Sequence, residues 1–206
     1  MKSYLINEIY FTLQGEGVRA GTANVFVRFT GCNMRCAVDA GPKSIGGFDC
    51  DTEFASGKKM SAKEIIEACD KFYPKGKSKS VVFTGGEPAI QLDVHLVSEM
   101  KKDGYFTAIE TNGSLDVSEL GLDWITVSPK VAEHCVRQLT ASEIKYVRRA
   151  GQGVPRPTCK ATHKILSPAF KGKVIDPEAV ECCIDLVSQN PEWRLSIQQH
   201  KIWGID

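Results

Sequence analysis

The segment "VVFTGGEPAI" (residues 81–90) runs from an apolar stretch into two glycines and then a proline. The apolar stretch predicts a buried strand, and Pro88 suits the first turn of a helix. Glycines at such a junction let backbone groups approach a ligand closely, and parallel sheets bind ligands at the carboxyl ends of their strands. A tight turn that binds nothing explains Gly85 and Gly86 about equally well from this segment alone.

Apolar stretches rich in Val, Ile and Phe recur along the chain and alternate with amphipathic ones. This alternation predicts repeated βα units and a largely parallel sheet. The predicted strands cover residues 4–11, 24–30, 80–84, 105–110, 124–128, 144–149, 162–167 and 194–198.

Three amphipathic segments have apolar residues at helical spacing. They are residues 61–73, 88–102 and 177–189. Ser61 and Glu64 form a capping box at the start of the first, and Asp176 is the expected N-cap of the third. A closed eightfold barrel typically needs about 250 residues, and this chain has 206. The predicted class is therefore α/β, with an abbreviated, open barrel in a single domain over 1–206.

Composition sets further bounds on the class of protein. Hydrophobic residues make up 42% and charged residues 25%, which is typical of soluble proteins. No apolar run approaches the roughly 20 residues of a membrane span, and the N-terminal segment lacks the features of a signal peptide. The formal net charge of +1 gives no general attraction to nucleic acid. We expect a cytoplasmic protein that binds neither membrane nor nucleic acid.

The chain has eight cysteines, which raises the question of disulfides. A reducing compartment and a chain long enough for its own core both argue against a disulfide framework. Cys69, Cys182 and Cys183 lie on apolar helix faces, where a free thiol packs as a small hydrophobe. Cys135 and Cys159 lie in the less regular region 131–161 and receive no predicted role.

The remaining three cysteines share the loop "TGCNMRCAVDAGPKSIGGFDCDTEF" (residues 30–54). Cys32, Cys36 and Cys50 follow the spacing C-x3-C-x13-C. Three thiolates can hold a four-iron, four-sulfur cluster and leave one iron open to a small molecule.

A structural zinc site is the alternative interpretation of these thiols. Such a site has four ligands, and the loop offers no fourth Cys or His. Either His134 with Cys135, or His163 with Cys159, would have to supply the missing ligands from a distance.

The three thiols, together with "GGEP" downstream, resemble the radical S-adenosylmethionine (SAM) superfamily. Its usual spacing is C-x3-C-x2-C, so this chain has an expanded cluster loop, which we place at 31–57. The resemblance implies an open (β/α) barrel of the radical SAM type, one [4Fe-4S] cluster, and SAM bound at the open iron.

Further motifs resemble the 7-carboxy-7-deazaguanine synthase family nearly end to end. This family converts 6-carboxy-5,6,7,8-tetrahydropterin to 7-carboxy-7-deazaguanine with loss of ammonia, in the pathway to queuosine and other 7-deazapurines. The resemblance therefore implies a lyase that works as a homodimer with a flavodoxin or ferredoxin as electron donor. The motifs are "LQGEG" (13–17), "RFTGCN" (28–33), "CDT" (50–52), "ETNGS" (110–114), "SPK" (128–130) and "LSIQQHKIWGID" (195–206).

The family pattern assigns cofactor roles by position. The cluster ligands are Cys32, Cys36 and Cys50, and Thr52 meets a magnesium ion, although a turn-capping threonine is the plain alternative. Serine and proline stand at 167–168 where relatives often have Gln-Pro. The residues implied to hold SAM are Asp49, Cys50, Asp51, Gly86, Ser128, Pro129, Lys130, Ser167, Pro168, Ala169 and Phe170.

The pattern also implies a set of substrate-binding residues, including a tail at 198–206. Arg28 is the partner for the substrate carboxylate, because a guanidinium binds carboxylates bidentately. Strand alternation separates it from Val27 and Phe29 and predicts that it faces the barrel lumen. The full set is Leu13, Gln14, Gly15, Glu16, Arg28, Thr84, Gln198, His200 and Asp206.

Two other functions remain open at this point. A glycyl-radical activase would share the thiols and "GGEP" but act on a partner protein. A cysteine-rich metal-binding module would use the thiols without catalysis.

Overall fold

The computed structural model describes residues 2–34, 55–74, 76–130, 132–171 and 174–205. Within these residues one sheet has nine strands in the order β11-β8-β7-β6-β5-β4-β2-β1-β3, and a short hairpin pairs β9 with β10. The strands are β1 (Ser3–Leu13), β2 (Ala23–Phe29), β3 (Lys58–Ser61), β4 (Lys79–Gly85), β5 (Tyr105–Thr111), β6 (Trp124–Val127), β7 (Thr140–Arg148), β8 (Lys160–Pro168), β9 (Phe170–Lys171), β10 (Val174–Ile175) and β11 (Trp193–Leu195).

Strand directions confirm the predicted sheet. From β2 through β4, β5, β6, β7 and β8 to β11, every neighbouring pair is parallel. Only β1 runs antiparallel within this sheet, against β2 on one side and β3 on the other. The edge strands β3 and β11 do not pair, so the barrel is open, as the sequence predicts.

The helices are α1 (Ala62–Asp70), α2 (Val94–Lys102), α3 (Pro177–Gln189) and α4 (Gln199–Trp203). The capping box of α1 is confirmed: Ser61 Oγ accepts a bond from Glu64 N, and the Glu64 carboxylate accepts one from Ser61 N. Asp176 caps α3, whose bounds match the predicted 177–189. No helix among the described residues is long and apolar enough to span a membrane.

The prediction of one helix over 88–102 was wrong. A short 3-10 turn (Pro88–Ile90) is followed by a break, and α2 starts only at Val94. Asp93 causes the break, because its carboxylate accepts hydrogen bonds from Leu96 N at 3.0 Å and from Tyr4 Oη at 2.8 Å. An N-cap residue needs non-helical backbone angles, so the helix restarts after it.

Other predicted boundaries moved by a few residues. The strand predicted at 144–149 begins earlier, at Thr140, and the one predicted at 194–198 ends at Leu195. The short strand β3 and the helix α4 had no sequence prediction. The helix predicted over 61–73 ends at Asp70, so Phe72 follows α1, and it is 41% exposed and stacks on Phe11.

The outer face of the sheet packs against the helices. Cys69 from α1 and Leu96 from α2 are fully buried in this core, as is Phe83 from β4. A second core forms where α3 covers β7 and β8, and it contains Cys159 and Cys183. Cys69 and Cys183 are thus packing residues, as predicted, and the cysteines of the described residues carry free thiols.

Candidate active site

A cavity of about 710 Å³ lies in the lumen of the open barrel. Its wall comes from the inward faces of β1, β2, β4, β5 and β7, the loop after β1, and the C-terminal segment. Eight of the nine predicted substrate residues line this cavity. These are Leu13, Gln14, Gly15, Glu16, Arg28, Thr84, Gln198 and His200, and the cavity is also lined by Glu8, Tyr10, Phe26, Glu110, Lys145, Lys201, Gly204 and Ile205.

Arg28 faces the cavity, as strand alternation predicts. One guanidinium nitrogen lies 2.9 Å from a Glu8 carboxylate oxygen, and another donates to Tyr10 Oη at 2.8 Å. Its Nε is buried and has no hydrogen-bond partner among the described residues. A buried donor without a partner is costly, so Arg28 has capacity for a further acceptor. A carboxylate on a ligand meets that requirement.

A buried charge cluster forms another part of the wall. Lys145 Nζ on β7 lies 2.6 Å from Glu16 Oε2 and 3.6 Å from Glu110 Oε2. Gln14 Nε2 donates to Glu110 Oε1 at 3.0 Å. Burial opposes ionisation of Glu16, but the charge and hydrogen bond of Lys145, the hydrogen bond from Gln198 and the charge of His200 together lower the pKa of Glu16 to about 2. Burial raises the pKa of Glu110 to about 6, despite the opposing effect of Lys145.

The C-terminal segment packs against the loop after β1. Gln199 N donates to Gly15 O at 2.9 Å, and Gln198 Nε2 donates to Glu16 Oε1 at 2.8 Å. A side chain at Gly15 would overlap the ring of His200, so only glycine allows this close approach. The loop after β1 and the segment after β11 come from opposite ends of the sheet. Their contact completes the cavity wall.

The carboxyl end of β2 brings Cys32 beside the glycine turn that follows β4. A Cβ atom on Gly86 would overlap Gly31 O and would lie 3.0 Å from Cys32 Cβ. Glu87 N donates to Gly31 O at 2.9 Å. The two segments predicted to bind cluster and SAM are therefore in direct contact, and this contact requires glycine at position 86.

The glutamate of "GGEP" has a structural role that the sequence did not predict, because it connects two loops of the sheet through hydrogen bonds. Glu87 is fully buried, and its carboxylate accepts hydrogen bonds from Thr111 Oγ1 and from Asn112 N, both at 2.7 Å. It also accepts one from Ala89 N at 3.0 Å, and burial raises its pKa. The carboxylate thus joins the turn after β4 to the end of β5.

The two other segments predicted to hold SAM lie at the carboxyl ends of β6 and β8, the strands on either side of β7. Ser128 follows β6, and Ser128 N donates to Thr111 O at 2.8 Å, while Lys130 Nζ donates to Ser128 Oγ. Ser167, at the end of β8, is fully buried, and its Oγ has no partner among the described residues. Beside it, the ring of Phe170 lies 4.9 Å from Lys201 Nζ of the C-terminal segment. A buried hydroxyl with spare capacity fits a polar cofactor at this position.

Comparisons with known proteins now bear on this arrangement. Residues 26–150 match the model of the radical SAM superfamily. The 7-carboxy-7-deazaguanine synthase of Nitratidesulfovibrio vulgaris is 37% identical and covers 98% of this chain and 99% of its own length. The synthase of Bradyrhizobium diazoefficiens is 35% identical with the same coverage, and that of Bacteroides thetaiotaomicron is 34% identical over 97% of both chains.

The chain belongs to the 7-carboxy-7-deazaguanine synthase family. A solved structure agrees: the crystal structure of QueE from Escherichia coli superposes with a TM-score of 0.67 and 26% identity, covering 96% of this chain and 95% of that chain. Membership in this synthase family does not favour the activase or the non-catalytic module. It also places the open barrel in the radical SAM class.

Several family positions lie outside the described residues. They are Cys36, Asp49, Cys50, Asp51, Thr52 and Asp206. Within the part of the chain that the structure describes, no group of three or more His, Cys, Asp or Glu is arranged to hold a metal. The distant pair His163 and Cys159 does not come together, since His163 stacks on Trp124 whereas Cys159 is buried in the core under α3.

Sequence reasoning missed four charged residues of the cavity, Glu8, Glu110, Lys145 and Lys201, of which Glu110 and Lys145 belong to the buried charge cluster. Glu110 is the first letter of the family motif "ETNGS", so the motif was available as a signal. Lys145 stands in the strand segment "EIKYVRR", where a lysine among apolar residues is the only sequence sign of a buried partner.

Proposed function

We propose that this chain is a radical SAM lyase that converts 6-carboxy-5,6,7,8-tetrahydropterin to 7-carboxy-7-deazaguanine and ammonia, as a step of queuosine and 7-deazapurine biosynthesis. The observation that carries the proposal is the near full-length similarity to synthases of that name. The polar cavity supports it, because a carboxylate-binding arginine and buried amide and carboxyl groups fit a carboxylated pterin.

The cofactors are a [4Fe-4S] cluster and SAM, which the radical SAM family implies. Cys32, Cys36 and Cys50 would hold the cluster, and when bound, cluster and SAM supply hydrogen-atom abstraction. Two observations support this assignment: the close approach of Gly86 to Cys32, and the buried Ser167 hydroxyl. The residues that would hold SAM are Asp49, Cys50, Asp51, Gly86, Ser128, Pro129, Lys130, Ser167, Pro168, Ala169 and Phe170.

The protein's own part is to bind and orient the pterin. Arg28 binds its carboxylate through the guanidinium edge that holds the unpaired Nε. Gln14 offers both a donor and an acceptor to the ring, and Glu16 offers acceptors only, since it is ionised. Leu13, Gly15, Thr84, Gln198, His200 and Asp206 complete the proposed substrate set.

The proposal also includes a magnesium ion, a protein that donates electrons to the cluster, and a homodimer. Thr52 would contribute one ligand to a magnesium ion that keeps several waters and shares substrate oxygens. A flavodoxin or ferredoxin would reduce the cluster, and the chain would act as a homodimer of single-domain subunits, each with the cluster loop 31–57 and the tail 198–206. Cytoplasmic location stays a prediction.

The test is an anaerobic assay with reconstituted, reduced protein, SAM, magnesium and the carboxytetrahydropterin. We expect iron and sulfide in the protein and a product with the mass and ultraviolet absorbance of 7-carboxy-7-deazaguanine. Bound zinc without sulfide would contradict the cluster assignment. A fully loaded cluster that cleaves SAM without making this product would contradict the substrate assignment.

A further inference from the structure

Lys145 is the buried cation of the cavity wall, and its role is not explained by substrate contact alone. Only 7% of the residue is exposed, and its ammonium lies between Glu16 and Glu110, which belong to different parts of the chain. We propose that Lys145 is a positioning residue that holds these two glutamates and fixes their charges at the substrate cavity. The inference rests on the proposed function, because it assigns the glutamates to the pterin.

The geometry brings four elements together at this point. Glu16 comes from the loop after β1, Glu110 from β5, Lys145 from β7, and Gln198 from the segment after β11. Lys145 touches the first two, and Gln198 donates to Glu16 from the other side. An ammonium at 2.6 Å is therefore the strongest constraint on where the Glu16 carboxylate lies.

Charged and titratable groups surround the cluster from every neighbouring element. Glu143, on β7 itself, accepts hydrogen bonds from Val18 N and from Thr126 Oγ1, both at 2.9 Å, which fixes it to the loop and to β6. The set comprises Glu16 and Arg19 from the loop, Glu110 from β5, Glu143 from β7, His163 from β8, His200 and Lys201 from the C-terminal segment, and Glu8, Tyr10 and Arg28 at the same cavity.

This arrangement separates the ionisation of the two glutamates, so that their charges differ below about pH 6. Burial lowers the pKa of Lys145, but Glu110 and Glu16 outweigh it and raise the pKa, so the lysine stays charged. Glu16 stays ionised, with its pKa lowered to about 2. Glu110 retains a proton more readily, since burial and the charges of Glu143 and Glu16 raise its pKa to about 6.

The difference matters for recognition of a ring with both donor and acceptor groups. An ionised carboxylate only accepts hydrogen bonds, whereas a protonated carboxyl also donates one. Glu16 therefore suits ring N–H groups, and Glu110 can present either form. Without Lys145, Glu16 would be buried near Glu110 with no adjacent ammonium, and its ionised form would be disfavoured.

The experiment compares Lys145→Met and Lys145→Arg with a matched control, Lys79→Met, in the full chain. Lys79 also lies between two carboxylates, Asp70 at 2.8 Å and Asp103, but outside the cavity. The readouts are carboxyl titration of Glu16 and Glu110 by carbon-13 NMR, assigned with Glu16→Gln and Glu110→Gln, and the pH dependence of kcat/KM on the pterin.

We expect Lys145→Met to raise the Glu16 midpoint by more than one pH unit and to lower kcat/KM about tenfold or more, mainly through KM. Lys145→Arg should keep the Glu16 midpoint low, and Lys79→Met should change neither readout. A folded Lys145→Met protein with unchanged midpoints and kcat/KM would overturn the proposal.

The unmodified protein provides a test that does not depend on the Lys145→Met variant. If both glutamates titrate together near 4.5, Lys145 does not fix their charges and the proposal is wrong, whether or not Lys145→Met folds. Titration does not depend on turnover. Separated midpoints in a protein that makes no deazaguanine would refute the proposed function and support the charge assignment.

Discussion

On the outer face of β2, Val25, Val27 and Phe29 are buried against the helices, whereas Phe26 and Arg28 on the other face border the cavity. Apolar burial on the outer face contributes to stability at roughly 25 cal/mol per Å². The cavity face buries charges, which contribute to stability only where they are paired. One strand thus carries stability on one side and recognition on the other, and substitutions on the two sides should have separable effects.

The largest expected effect is at the carboxyl end of β2, where the chain continues into the proposed cluster loop. Cys32→Ala should abolish turnover and cluster loading, and Cys36→Ala and Cys50→Ala carry the same prediction, since each removes a proposed cluster ligand. The measurement is iron and sulfide content together with product formation. Cys183→Ala is the control, because this thiol is buried under α3 and should not change iron content. Full iron content and activity in Cys32→Ala would remove that thiol from the ligand set.

On the outer face, Leu96→Ala should lower the free energy of unfolding by about 2–5 kcal/mol, because it leaves a cavity in the core. Leu96 is fully buried between α2 and the sheet. Urea unfolding measures the loss. The KM of the folded fraction should stay unchanged, and a tenfold change in KM would show that the two faces are not separable.

On the cavity face, Arg28→Lys should lower kcat/KM about 10- to 150-fold, the equivalent of one charge-assisted hydrogen bond. Lysine keeps the positive charge but loses the planar fork. Steady-state kinetics give the ratio, and urea unfolding should show little change. Equal kinetics in the variant would mean that Arg28 does not bind the carboxylate.

The smallest expected effect is a pH-dependent one at Glu110. The pKa of Glu110 is raised from 4.5 to about 6 in the folded state. The folded state therefore loses stability as the pH rises from about 4.5 to above 6, and it has the full stability below pH 4.5. The Glu110→Gln variant lacks this carboxyl. Its free energy of unfolding, relative to that of the unmodified protein, should therefore be about 1 kcal/mol higher at pH 8 than at pH 5. Urea unfolding at both pH values is the measurement, with the exposed Glu119→Gln as control. A pH-independent difference would contradict the buried-carboxyl assignment.

The local sequence pattern predicted strand faces and helix bounds where these depend only on neighbouring residues. Alternation along β2 placed Arg28 in the lumen, and the spacing of 177–189 gave the bounds of α3, because both patterns depend on neighbours within one element. The break before α2 was not predictable, since the Asp93 carboxylate accepts a hydrogen bond from Tyr4, which lies near the start of β1 and is 89 positions away in the sequence. The pattern of 88–102 carries no sign of that contact.

The candidate site shows the same limit. Motifs identified residues such as Gln14 and Glu16, but Lys145 became visible only when β7 was placed beside β6 and β5. Its partners are set by strand order across the sheet. The depth of burial that shifts the pKa of Glu110 is likewise a property of the assembled barrel.

The contact between Glu16 and Gln198 joins residues that are 182 positions apart. Contacts of such separation cost chain entropy that local contacts do not, so they tend to form late in folding. We therefore expect the parallel strands to assemble before the cavity is complete. A ligand that binds the finished cavity and not the unfinished one would stabilise the native chain by mass action. The fraction of this protein that is folded would then rise with the concentration of substrate.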